Sequence, residues 1–160
     1  MKPLEAVAKL FHFNHQFLDS VTTDFSDADW LAPPGTKGGN HAHWILGHLA
    51  VSRRALLRGV GKPVPPEPWE KAFGRGSQPV AGKDGPSPAA LRQDFLASGA
   101  LLHDHLASLS PEEAAAPYGR KLPDGSESVS GAAHFLFLHE CYHIGQLGLL
   151  RRILGKPGVA

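Results

Sequence analysis

The sequence predicts an all-α protein, a four-helix bundle with long connecting loops, and three observations carry that prediction. Four segments of about 20 residues place apolar side chains at three- and four-residue steps, the spacing of one helical face. No segment alternates apolar and polar residues in the manner of a half-buried strand, and no repeat recurs at a fixed period. The stretches between the four segments are rich in Pro, Gly and polar residues, which interrupt helices. A chain of 160 residues is close to the usual length of one domain and can bury a substantial core, so a single domain over 1–160 is expected.

The first helix is expected over 3–22. Pro3 sits where a first turn tolerates proline, and Leu4, Val7, Phe11, Leu18 and Val21 follow at helical steps. Residues 26–39 contain Pro33-Pro34-Gly35, which cannot continue a helix, and read as a connector. A second helix over 40–59 gathers Trp44, Ile45, His48, Leu49, Ala55 and Leu56 on one face, so His48 lies inside an apolar stripe. Residues 61–88 carry seven prolines and no helical period, with Trp69 and Phe73 as their aromatic residues. Ser87 is placed to cap a third helix over 87–109, with Leu91, Phe95, Leu102 and Leu106 inward. After a connector over 110–127, a fourth helix runs over 128–154. Arg151 and Arg152 occupy its last turn and Gly155 follows, as a helix C-terminus prefers. Its inward stripe reads Ala132, Leu136, His139, His143, Gln146, Leu150 and Ile153. The wiring of the four helices is left open.

Composition narrows the partners. Sixteen Lys and Arg against fifteen Asp and Glu give no field that would draw the chain to nucleic acid. Cys141 is the single cysteine, so no internal disulfide can form, and a reducing compartment, the cytoplasm, is expected. No run of 18 apolar residues exists, and Glu5 interrupts the N-terminal segment, so neither membrane insertion nor secretion is expected.

Ten histidines against two tyrosines are the unusual feature. His139 and His143 are four residues apart, which places their rings on one helical face, near enough to share a metal ion at about 2.0–2.1 Å. Neutral imidazoles in a core leave polar nitrogens in need of partners, and a metal satisfies one nitrogen of each. His48 meets the same criterion on a second helix. Three nitrogen ligands leave coordination positions open, as a catalytic rather than a structural site requires. Read literally, His139-Glu140-Cys141-Tyr142-His143 is also the H-E-x-x-H of metalloproteases, with Glu140 as general base. Residues 144–160 contain no His, Asp, Glu or Cys to serve as a downstream third ligand, so that reading fails, and Glu140 is expected in solvent or behind the ligands.

The segments Trp44-Ile45-Leu46-Gly47-His48-Leu49-Ala50 and His139-Glu140-Cys141-Tyr142-His143-Ile144-Gly145-Gln146-Leu147, with Leu150-Arg151-Arg152-Ile153-Leu154-Gly155, carry a resemblance. Across essentially its whole length the chain resembles the DinB-like family of metal-binding four-helix bundles. The resemblance implies that His48, His139 and His143 hold a divalent metal, zinc or nickel. It further implies a homodimer and a place among metal-dependent thiol transferases, which join a low-molecular-weight thiol to a small electrophile, or among stress-induced members of unknown activity. A non-catalytic metal-binding stress-response bundle and a metal-dependent hydrolase are the alternatives. An open site with a lined pocket would favour an enzyme, a closed one the non-catalytic bundle.

Other residues carry narrower expectations. Trp69, Lys71, Phe73 and Arg75 are placed to cover the open side of the metal. His15 borders the inward stripe of its helix, from which it could approach the ligands from behind, although an ordinary structural histidine is the expectation there. His41 is one heptad before His48, about 10 Å along the axis, and too far to be a ligand. His103, His105 and His134 read as surface or edge residues. Cys141 is turned by about 160–200° from both ligands on its helix and should face away. Phe135, Phe137, Leu138, Ile144 and Leu149 lie outside the histidine seam, so the fourth helix must bury a second face.

Overall fold

The computed structural model describes residues 2–36, 38–79 and 85–159; residues 80–84 of the long connector expected over 61–88 lie outside it. Four long helices form the bundle: α1 (Glu5–Thr22), α3 (Ala42–Gly59), α4 (Pro88–Ser108) and α6 (Val129–Ile153). Three of them begin at side chains that accept a backbone N–H of the first turn: His41 Nδ1 from Trp44, Ser87 from Ala90 and Ser128 from Gly131. Two short helices, α2 (Asp27–Leu31) and α5 (Pro111–Ala115), and a 3-10 helix (Pro68–Phe73) occupy stretches that the sequence presented as connectors. Ser26 with Asp29, and Ser110 with Glu113, form reciprocal capping boxes that start α2 and α5. Proline and glycine between the long helices masked these one-turn elements.

Hydrogen bonds between elements fix the wiring. His43, near the start of α3, donates to the Pro86 carbonyl just before α4, and His105, near the end of α4, donates to Val60 just after α3. These two helices are therefore parallel. The Asn14–Glu140 and Arg151–Val21 bonds make α1 and α6 parallel as well. Lys2 bonds Ser108 and Arg92 bonds Asp19, so α1 and α4 run in opposite directions. Each of α1 and α3 packs against both α4 and α6, which puts α1 and α3 on one diagonal and α4 and α6 on the other. Joining parallel neighbours requires the chain to travel back the full length of α3, about 27 Å for its 18 residues. The long connector is the crossover that does so.

Two apolar clusters fill the bundle, one at each end. Leu4, Phe11, Leu57, Leu102 and Ala132 belong to the first, and Leu18, Ile45, Leu91, Phe95 and Leu147 to the second. A side chain such as Phe11, 1 % exposed, contributes roughly 1.5–3 kcal/mol by burial. Between the clusters lies a polar layer built on Arg53. Its guanidinium donates to Glu140 through Nε (2.5 Å) and Nη2 (2.9 Å), to the carbonyls of Phe95 (2.9 Å) and Phe11 (3.2 Å), and to His15 Nε2. All five of its N–H groups are thereby used, and the group also stacks 3.4 Å from the centroid of Phe95. Gly99 on α4 makes this possible, because a Cβ there would run into His15 and Arg53.

One expectation for the last helix is corrected. Ile153, assigned to its inward stripe, is 52 % exposed because α6 has passed the end of the core there. Ile144, grouped with the residues of a second face outside the histidine seam, is fully buried in the second apolar cluster, covered by neighbouring helices. Leu138, Tyr142 and Leu149 join Ile153 as the large apolar residues that α6 leaves in solvent.

Candidate metal centre

His48 enters from the second turn of α3, and His139 and His143 project from one face of α6, as their four-residue spacing dictates. Because α3 and α6 are antiparallel neighbours, the three rings meet. One ligand atom from each lies within 4.8 Å of the other two, and His139 Nε2 is 3.2 Å from the Nε2 of both His48 and His143. Nitrogens each about 2.0–2.1 Å from one ion would be about 3.0–3.4 Å apart. Stacking fixes the rings: Trp44 lies on His48 at a centroid distance of 4.9 Å, and Phe135 on His139 at 6.4 Å.

The far nitrogens set the proton positions. His48 Nδ1 donates to the Phe73 carbonyl (2.7 Å), and His143 Nδ1 donates to Gln146 Oε1 (2.7 Å), whose Nε2 in turn donates to the Tyr142 hydroxyl (3.1 Å). The Nε2 atoms of both rings are therefore bare and point at His139. A proton on His139 Nε2 could serve one of these contacts and would leave the other lone pair against lone pair. His139 Nδ1 is buried without a hydrogen-bond partner among the described residues. Burial pushes the pKa values of His139 and His143 down to about 4 and lowers that of His48, so all three are neutral near pH 7. Three neutral, convergent lone pairs fit a divalent cation, which these residues could hold.

The cluster is not sealed. It forms part of the floor of a pocket of about 750 Å³ walled by Ser52, Leu122, Pro123, Phe135 and Leu136, with Arg75, Arg120 and Lys121 around it. The crossover expected to cover the site does so in part. Phe73 supplies the carbonyl that orients His48, its ring packs against Gly47, and Arg75 lines the pocket. Trp69 instead lies over Arg54, 5.6 Å from the guanidinium, and Lys71 is exposed.

One further assignment changes. Glu140, expected in solvent or behind the ligands, is 1 % exposed and faces the bundle interior, where Arg53 and Asn14 hold it. One residue along a helix is a rotation of 100°, so Glu140 is turned into the core while His139 faces the pocket, and it cannot serve there as a base. His15, a lesser candidate for the space behind the ligands, lies instead on the side of Arg53 towards α4, next to Gly99 and Phe95. Cys141 is half-buried towards Asn14, away from the ligands, and burial raises its thiol pKa. His41 caps α3, His105 bonds Val60, and His134 is exposed. Gln146 was readable, being three residues beyond His143 on the same face. The Phe73 carbonyl and the Arg120-Lys121 pair were not, since neither a backbone acceptor nor a loop cation carries a periodic signal.

Fold and site together define a helical bundle with a three-histidine cluster opening into a basic pocket. The chain belongs to the DinB superfamily, whose family model matches residues 10–147. Comparison with curated proteins gives no match. Among the described residues no helix is long and apolar enough to cross a membrane.

Proposed function

We propose that this protein holds one divalent metal ion, zinc or nickel, on His48, His139 and His143, and transfers a low-molecular-weight thiol to a small electrophile. The observation that carries the reading is the convergence of three imidazole Nε2 atoms, two of them bare, on an open pocket. A divalent ion bound there supplies Lewis acidity, which lowers the pKa of a coordinated thiol or water towards neutrality. The chain's own contribution is orientation and exclusion. Phe73 and Gln146 hold two rings in the ligating tautomer, Trp44 and Phe135 fix ring planes, and Leu122 and Leu136 limit water around the reacting groups. The open pocket supports an enzyme over a buffering or sensing bundle, for which a closed site would suffice. Dependence of the reaction on added thiol separates a transferase from a hydrolase.

The same proposal includes a homodimer. Leu138, Tyr142 and Leu149 on α6 and Phe13 and Phe17 on its neighbour α1 are each between 47 % and 67 % exposed. These exposed apolar side chains lie on two helices that pack against each other, and a second copy would cover them.

The deciding measurement is metal content after removal with chelator and reloading with zinc or nickel. One equivalent is expected in the wild type, and none in His139→Ala. Absence of metal from the wild type under every loading would refute the reading.

A further inference from the structure

The cations around the pocket differ from most of the other arginines. Arg53, Arg54, Arg58, Arg92 and Arg151 each hold a carboxylate. Arg75 and Arg120, both exposed, have no carboxylate partner among the described residues, and Lys121 has only Glu127, at 3.8 Å in a solvent-exposed pair. All three line the same pocket, and among the described residues no Asp or Glu lines it with them.

The segments that present these cations are anchored. Tyr118 and Leu122, 7 % and 5 % exposed, flank Arg120 and Lys121. Their backbone N–H groups donate to Glu127 (2.7 Å) and Ser126 (2.9 Å), so the chain between them is pinned at both ends. On the crossover, the Ser77 hydroxyl donates to the Gly74 carbonyl (2.8 Å) and accepts from Trp44 Nε1 (3.0 Å), which ties the turn around Arg75 to α3. The same pocket is lined by the apolar side chains of Leu122, Phe135 and Leu136 and by the three histidines.

We infer that the pocket selects a small organic oxyanion. Its carboxylate or phosphate group sits among Arg75, Arg120 and Lys121, its apolar body lies on Leu122, Phe135 and Leu136, and its other end reaches the histidine cluster. Two guanidinium groups without a carboxylate partner among the described residues, and an ammonium group with one solvent-exposed partner, gain charge-assisted hydrogen bonds from such a group. Apolar walls with a few convergent polar groups are the usual make-up of a small-molecule site. This deepens the proposed transferase by naming the charge class of one reactant, and it rests on the metal reading only for the end that meets the histidines.

The test uses the full chain, zinc-loaded and chelator-treated, in calorimetric titrations with phenylacetate, phenyl phosphate and neutral phenylacetamide. At least one anion should bind saturably to both forms, the amide should not, and affinity should fall as salt is raised. The triple variant Arg75→Gln, Arg120→Gln, Lys121→Gln should lose on the order of tenfold or more in anion affinity. It should keep the wild-type metal content and melting temperature, and Arg152→Gln should bind as the wild type does. The two anions separate a carboxylate site from a phosphate site. Binding that is unchanged in the triple variant, equal for acid and amide, or absent for both anions would overturn the inference. If the wild type takes up no metal yet binds the anions through these three residues, the metal reading fails and this one stands.

Discussion

His15 must be neutral, because its Nε2 accepts a hydrogen bond from Arg53 in a layer with no room for a second positive charge. Burial, and then the guanidinium beside it, push its pKa from 6.5 to about 4. Between those values the unfolded chain carries the proton and the folded chain does not. Stability therefore falls as pH drops through that window and is unaffected by this group above it. His139 and His143 add to the same slope in the metal-free protein. Urea unfolding of the metal-free chain across the window should show the decline, and His15→Gln should flatten it; an unchanged slope in that variant would remove His15 from the account. Residues of this kind divide sharply in legibility. Histidine spacing exposed the cluster, since i and i+4 on a helix is local geometry. The burial of Glu140 and the departure of His15 to the far side of Arg53 were invisible, because each depends on a partner at long range in the chain.

Helix faces show how little room the elements have. Gly47 on α3 lies against the Phe73 ring, and a Cβ there would displace the residue whose carbonyl orients His48. Gly47→Ala should therefore weaken metal binding by about tenfold without removing a ligand, since loss of such an outer partner typically costs that much. Competition titration against a chelating dye would measure it, and an unchanged affinity would show that Phe73 does not act on the metal. Gly99→Ala drives a methyl group into the Arg53 layer and should cost about 1–3 kcal/mol in chemical denaturation. The four long helices were legible because about 20 residues of apolar stripe give a clear period. At five residues each, α2 and α5 are too short for any period. Their only sequence signals were the S-x-x-D and S-x-x-E capping boxes at Ser26 and Ser110, inside stretches that otherwise read as breakers.

At the scale of the molecule, the sequence could not show that α3 and α4 are parallel, because helix direction is decided by contacts such as His43 with Pro86 and not by local pattern. The outer face of α1 and α6 carries the prediction for assembly. Leu138→Lys with Leu149→Lys should yield monomers by sedimentation velocity with metal content preserved, whereas a monomeric wild type would exclude the dimer. In the interior, Arg53→Met leaves Glu140 buried and unpaired and should destabilise the fold by about 3–5 kcal/mol in urea unfolding. That ion pair also works as a key cut for a single lock. The apolar clusters on either side of it would tolerate a slide of α6 along α3, since one leucine packs much like another. A slide of one turn, about 5.4 Å, would strand Glu140 among hydrocarbon and Arg53 without its carboxylate. That slide is penalised at the ion pair, so the register that joins Arg53 to Glu140 is also the one that brings His139 and His143 level with His48.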